Sequence, residues 1–309
     1  MKEQEPVSTV VTGGDAAFAW GCLTLVSSMR RQGMPQPVLV GAMGWPGAMK
    51  DRVRALGGVT VVDMPVGRRC AACLKPTLMA REEVETPWIC WADADGAFVG
   101  DCSEWLVGGD PAEITVRRYD PPPPDFTPAT LETWRRDVEA ARGRALPESR
   151  YATRFNDPFV LIHRSRADFL HAWREQMDRV LPGDVGIVMS RGTAYFQTDE
   201  SVLASLLCFD PGAPPVAAAY PANGSVDPTR YYAHFAYNPK PWRMWTAHAS
   251  RWRGEVFAIA DWLVERGIVR PSELPLPYRR SLWPLWRAVS PAAPWVWRAA
   301  KLRRKLLAR

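Results

Sequence analysis

Apolar positions recur along the first third of the chain in two rhythms, one of period two and one helical. The β-branched run Val7 to Thr12 reads as a strand that breaks at Gly13-Gly14-Asp15. From Ala16 to Gln32, Cys22, Leu25, Val26 and Met29 recur at helical spacing, and Gly33 follows as a C-cap. Val38 to Val40 and Val59 to Val62 are two further short strands, with a helix from Pro46 to Leu56 between them. Leu74-Lys75-Pro76 opens a helical stretch to about Val84, and Trp88 to Ala92 is an apolar run of strand length. Alternation of this kind predicts an α/β layer with a largely parallel sheet.

The rhythm continues less regularly. Ile114 to Val116 is a strand, and Pro128 to Arg142 is a polar, weakly amphipathic helix. The stretch Tyr119 to Arg150, with its run Pro121 to Pro124, reads as an insertion or flexible flap. Phe159 to Ile162 is a core strand introduced by Asn156-Asp157-Pro158. Arg166 to Val180 is a helix with Phe169, Trp173 and Met177 on its buried face. A helix opens at Thr198-Asp199-Glu200, and another spans Arg251 to Arg266 before a linker from Pro271 to Pro277.

Composition changes this picture mainly at the C-terminus. The 309 residues carry a formal net charge of +6. From Pro271 onward there are nine basic residues against Glu273 alone, a net +8, which leaves −2 for the rest. Basic character confined to one segment argues against a nucleic-acid-binding domain. Fifteen tryptophans are present, several of them in that segment: Trp283, Trp286, Trp295 and Trp297. On a helical wheel Trp295, Ala299, Leu302 and Leu306 share one face, away from Lys301, Arg304 and Lys305. That pattern suits an interfacial helix on an anionic membrane surface, and residues 281–309 are the expected contact.

Met1 to Pro6 is polar, with no basic segment leading into an apolar one, so no secretory signal is expected. No run is long and apolar enough for a spanning helix. The six cysteines are scattered and expected as free thiols. Cys70-x-x-Cys73 lacks a second pair at zinc-ribbon spacing. On these features a cytoplasmic protein, peripheral on the inner face of the cell membrane, is expected.

Candidate chemistry begins at Asp93-Ala94-Asp95, where the apolar strand ends. Residues i and i+2 of an extended chain point the same way, so both carboxylates can converge on one hard cation such as Mg²⁺ or Mn²⁺. An Asp-Gly turn at a strand end gives the same residues without a site. Ligands of open α/β sheets sit beyond the strands' carboxyl ends, so Gly13-Gly14-Asp15 and Asp93-Ala94-Asp95 are expected to face one crevice. Further along, Asp199-Glu200 opens a helix, where acidic residues also serve as caps. His234-Phe-Ala-Tyr-Asn-Pro-Lys240-Pro-Trp242 is a rarer pattern.

In these ordered motifs, from about Val7 to Trp242, the sequence resembles the retaining glycosyltransferases of family 8, which include glycogenin and bacterial lipooligosaccharide galactosyltransferases. The resemblance implies a GT-A fold, a mixed sheet flanked by helices, over residues 1–245, with 246–309 a helical extension. It implies a nucleotide-sugar donor, usually a UDP-sugar, and Mn²⁺ or Mg²⁺. Asp93, Asp95 and His234 match the metal ligands. Gly13, Gly14, Asp15 and Phe18 match the nucleotide motif, with Asp15 on the uracil and Phe18 stacked on it. Lys75 and Lys240 match diphosphate contacts, Ala94 falls within the metal motif beside the donor, and Asn156 matches the donor-sugar asparagine. Asp199 and Glu200 stand where the family has Asp-Gln beside the reacting carbon.

Several positions depart from the family pattern. Tyr237 replaces a glycine, Asp157-Pro158 replaces a small residue and glycine, Ala17 replaces a polar residue, and Ala204 replaces an asparagine. Glu200 replaces glutamine, and a carboxylate can act as a nucleophile where an amide hardly can. A covalent glycosyl-enzyme step and front-face substitution therefore both stay open. With the tail, the resemblance implies transfer to a glycolipid or surface-polysaccharide acceptor. Two other readings remain at this stage. One is a haloacid-dehalogenase-type phosphohydrolase using Asp93 and Asp95, and the other is a catalytically silent GT-A-like scaffold.

Overall fold

The computed structural model describes residues 7–67, 70–186, 188–190, 192–217 and 231–299. The first half alternates as its pattern predicts: β1 (Ser8–Asp15), α1 (Ala19–Arg31), β2 (Val38–Met43), α2 (Gly47–Arg54), β3 (Val59–Met64), α3 (Lys75–Met79) and β4 (Trp88–Ala92). β5 (Gly96–Phe98) follows at once, then β6 (Ile114–Arg118), α4 (Pro128–Arg142), β7 (Phe155–His163), α5 (Ala167–Val180), α6 (Thr198–Phe209) and β8 (Tyr232–His234). The chain continues into α7 (Arg253–Glu265), α8 (Trp283–Val289) and a helical stretch over 293–299.

Six strands form one mixed sheet in the order β3-β2-β1-β4-β7-β6. β1 to β4 run parallel, whereas β7 is antiparallel to both β4 and β6. The order reverses between β1 and β4, which opens a crevice at their carboxyl ends. Period-two alternation sends Val10, Val40, Cys90 and Leu161 to one face of the sheet and Val11, Leu39, Trp91 and Val160 to the other. The first face is covered by α1, α2 and α7, the second by α3 to α6. A separate two-stranded ribbon pairs β5 with β8.

Four expectations need correction. Gly13-Gly14-Asp15 is no turn: β1 runs through it, pairing Gly13 with Gly41 and Asp15 with Met43. A Cβ on Gly13 would lie 2.8 Å from the Gly41 carbonyl oxygen and 3.0 Å from Leu78, so close packing explains the glycine. The helix after Leu74 ends at Met79, well short of Val84. The segment expected as a flap is packed down by α4, whose Trp134 and Val138 are fully buried and whose Trp134 indole donates to the Ala194 carbonyl. The expected linker Pro271 to Pro277 forms two short 3-10 turns. They lead to buried Tyr278, whose hydroxyl bonds Thr24 on α1, while the Trp245 indole donates to Pro277.

α7 adds Val256, Ile259, Ala260 and Leu263 to the core on the α1 side of the sheet, so the chain after Trp245 shares the main core. Trp245 meets Trp283 of α8 edge-on, with ring centroids 5.8 Å apart. Among the described residues, no helix is long and apolar enough to cross a membrane. The expected basic face at Lys301, Arg304 and Lys305, with Leu302 and Leu306 opposite, lies outside the described residues.

Candidate active site

One cavity of about 490 Å³ opens at the carboxyl ends of β1 and β4. The thirteen residues expected to hold metal or donor or to act on it all line it: Gly13, Gly14, Asp15, Phe18, Lys75, Asp93, Ala94, Asp95, Asn156, Asp199, Glu200, His234 and Lys240. The expectation that the two strand ends share a crevice holds.

At the metal-motif end, β4 delivers Asp93 and the ribbon delivers His234. Gly96 pairs with His234 in antiparallel register, and the Phe235 amide donates to the Asp95 carbonyl at 2.7 Å. The Tyr232 hydroxyl donates to the Asp93 carbonyl at 2.7 Å, and the Trp91 indole donates to Asp93 Oδ1 at 2.6 Å. Asp93, Asp95 and His234 each offer one ligand atom, all within 4.8 Å of one another. Ligands about 2.1 Å from an octahedral ion stand within that span, and two carboxylates with one imidazole suit Mn²⁺ well. The donor set therefore fits a divalent cation.

The carboxylates draw positive charge to this end of the cavity. His234 Nε2 is 3.2 Å from Asp95 Oδ1. Burial alone would raise the Asp95 carboxyl, but Lys240 and His234 beside it hold it well below the usual carboxylate range. Burial likewise opposes charge on His234, and the two aspartates overcome it and raise its pKa. Lys240, expected at the diphosphate, is buried; its ammonium pairs with Asp95 and donates to the Phe235 carbonyl at 2.8 Å.

Behind this lies a second charged cluster that residue types alone did not reveal. Lys75 is 3 % exposed and sits 3.1 Å from Asp93, 2.9 Å from Asp157 and 2.9 Å from Asp199. Burial disfavours its charge, yet the three carboxylates raise its pKa well above the ordinary lysine value. One ammonium cannot balance three carboxylates. Burial, with Asp199 and Glu200 nearby, drives the Asp157 pKa well up despite Lys75. Its Oδ2 has no hydrogen-bond partner.

Glu200 is held from several sides. Its Oε1 accepts from the Tyr119 hydroxyl at 3.2 Å and is ion-paired with Arg154 at 3.0 Å, and its Oε2 accepts from the Asn156 amide at 2.6 Å. Burial pushes its pKa up to about 7, against the pull of Arg154 and Asn156. Thr198, just before the acidic pair, adopts φ 36°, a left-handed conformation unusual for a β-branched residue. The Trp173 indole fixes the next turn by donating to the Asp199 carbonyl at 3.2 Å. Tyr119, Arg154 and Asp157 are the functional candidates that sequence reasoning missed as site residues. Arg154 and Asp157 flank Asn156 in sequence, whereas the pairing of β6 with β7 alone brings Tyr119 there.

Phe18 meets Trp242 edge-on at 5.7 Å, and the Trp242 indole donates to the Ala17 carbonyl, so the His234–Trp242 segment is bolted to the β1 exit. Asp15 Oδ1 accepts from the Ala17 amide at 2.8 Å.

No protein-family model matches the sequence, and no curated protein matches it. Solved structures do. An active-site mutant of LgtC aligns with TM-score 0.52 at 14% identity, over 81% of this chain and 95% of that one. The galactosyltransferase LgtC in complex with donor and acceptor sugar analogues aligns with TM-score 0.50 at 13% identity, over 85% and 96%. The bifunctional glycosyltransferase WbbM aligns at TM-score 0.43 and 13% identity, over 87% of this chain and 52% of its own, so this chain spans about half of it. At such identities the likeness is one of fold: the mixed α/β sheet is of the GT-A type.

Proposed function

We propose that this chain is a metal-dependent glycosyltransferase that moves a sugar from a nucleotide donor, a UDP-sugar, to a glycan or glycolipid acceptor with retention of configuration. The observation that carries the reading is the convergence of Asp93, Asp95 and His234 at the strand-order reversal of a GT-A-type sheet. Those three residues would hold Mn²⁺ or Mg²⁺, which when bound supplies positive charge to the leaving diphosphate. The phosphohydrolase alternative gives His234 and Lys240 no role, and the fold favours the transferase.

In this reading Gly13, Gly14, Asp15 and Phe18 receive the nucleobase and ribose. Lys240 adds a second positive charge beside Asp95. Asn156, Asp199 and Glu200 face the transferred sugar. Both Glu200 oxygens already accept hydrogen bonds, which supports a role in stabilising positive charge at the sugar carbon over attack on it. Lys75 holds three carboxylates in place from behind, a positioning role in preference to the diphosphate contact implied by resemblance.

The catalytic unit in this proposal is residues 1–245, with 246–309 an extension that carries the protein to the inner face of the membrane. Exposed Leu276, Leu285, Trp295 and Val296 support that part, together with the basic tail. The test is a panel of nucleotide sugars with Mn²⁺ and glycan acceptors, reading released nucleoside diphosphate and the anomeric configuration of the product. Release of UDP with a product of unchanged configuration supports the proposal. Phosphate release from monoesters, with no nucleotide-sugar turnover, overturns it.

A further inference from the structure

Cys70 and Cys73 have no part in the chemistry above, yet they border it. The two Sγ atoms are 3.7 Å apart, and no disulfide joins them. Cys70 lines the cavity beside Ala71 and Ala72, whereas Cys73 is 7 % exposed and packs into the core. The 3-10 turn Ala71–Leu74 joins them, closed by the Cys73 amide donating to the Cys70 carbonyl at 3.2 Å. Such a turn keeps the first and fourth Cα atoms within about 7 Å, inside the range a disulfide spans. Bond formation needs the sulfurs to approach by roughly 1.6 Å more.

We propose that Cys70 and Cys73 form a reversible dithiol–disulfide pair in the wall of the donor cavity, and that its oxidised form opposes nucleotide binding. The second half rests on the glycosyltransferase reading; the first does not. Cys70 is the attacking sulfur because it is reachable from the cavity. The Cys73 thiol and the backbone amides of Ala72 and Cys73 favour its thiolate against the cost of burial. With a low-molecular-weight disulfide such as oxidised glutathione as oxidant, the Cys70 thiolate attacks one sulfur and expels one glutathione thiolate. Cys73 then attacks Cys70 Sγ, breaks the mixed disulfide and expels the second. The two cysteine protons pass to the two departing thiolates, so one disulfide is reduced for each formed.

The consequence follows from where the turn leads. Leu74 is followed at once by Lys75, which holds Asp93, Asp157 and Asp199. Drawing the sulfurs together shifts Ala71 and Ala72 in the cavity wall and displaces the root of Lys75. Disturbing a group that holds a metal ligand in place costs about ten- to a hundredfold in affinity or activity.

The experiment equilibrates full-length protein in defined ratios of oxidised to reduced glutathione, alkylates free thiols and analyses the digested protein by mass spectrometry. Trypsin leaves both cysteines on the peptide Cys70–Arg81, because Pro76 protects Lys75. The expected result is a peptide about 2 Da lighter and unalkylated, restored by dithiothreitol. UDP with Mn²⁺ then binds the oxidised protein more weakly than the reduced protein, by about tenfold or more. Cys70→Ala, with Cys70→Ser as a second variant, has no attacking sulfur and keeps its affinity under both conditions, whereas Cys73→Ala traps glutathione on Cys70. A peptide that stays fully alkylated in excess oxidised glutathione overturns the disulfide. A disulfide that leaves affinity within twofold overturns the coupling. Should the reduced protein bind no nucleotide, the donor reading falls, and the mass shift alone decides the disulfide.

Discussion

His234 Nε2 lies 3.2 Å from Asp95 Oδ1, although the two residues are far apart in sequence. The ribbon of β5 and β8 makes the contact by setting His234 opposite Gly96, one residue after Asp95. The third candidate ligand is thus placed by backbone pairing rather than by a long side chain reaching across the crevice. Anything that disturbs the ribbon or its support disturbs the cation site first.

Gly21 on α1 is such a support. A Cβ there would fall 2.3 Å from the Ala94 carbonyl oxygen and 2.6 Å from the Trp242 ring. Gly21→Ala is expected to push Asp93-Ala94-Asp95 outward and to cost about 1–3 kcal/mol by overpacking. Thermal unfolding with and without Mn²⁺ reads both effects. The expected variant melts lower and gains less from the metal than the native protein does.

Lys75→Met removes the ammonium from among three carboxylates and leaves them buried without a cation. Breaking a buried pair from one side costs about 3–5 kcal/mol. The loss should be largest above neutral pH and smaller in mild acid, where protons can take the ammonium's place. Urea unfolding at pH 5 and pH 8 tests this, and an equal loss at both would refute the cluster's role.

Glu200 supplies a pH dependence of known sign. Its pKa rises from the ordinary 4.5 to about 7 in the native state, mainly through burial. The native state therefore holds this proton more tightly, so its contribution to stability is greatest below 4.5 and is lost as pH climbs towards 7. Glu200→Gln cannot ionise and should flatten that part of the stability profile. In turnover, the native enzyme should gain rate through pH 7 as Glu200 ionises, and the variant should lose that acid limb.

Membrane attachment is best tested by point changes. Trp283 packs against Trp245 and Phe257, so removing everything from residue 281 would uncover the core. Leu285→Ser with Trp295→Ser leaves that packing alone, since both side chains are exposed. The double variant should float poorly with anionic liposomes while keeping its melting temperature. Flotation equal to that of the native protein would reject the attachment.

Local pattern made much of this fold legible. The strand–helix alternation to Trp88 survives in the structure because each element's burial is written in its own periodicity. Gly13-Gly14 was misleading because glycine marks both turns and close backbone approach, and only the neighbouring strand with Gly41 distinguishes them. The β5–β8 ribbon, three residues a side, is too short for any periodic signal, yet it positions His234. Tyr119 and Arg154 could not be identified as partners of Glu200, since their contacts depend on how β6 and β7 pair. The motif residues themselves were readable, and the cluster that holds them was not.

Asp93, Asp95 and His234 are expected to hold a divalent cation that recruits a nucleotide. Melting temperature with Mn²⁺ and UDP, each alone and together, measures it directly. At about a hundred times the dissociation constant the pair should stabilise the native protein by about 2.7 kcal/mol, a rise of about 5 °C. The rise should need both ligands and vanish in Asp95→Asn and in His234→Gln. An equal rise in those variants, or none with any nucleotide in the native protein, would rule out a nucleotide-recruiting cation at this site.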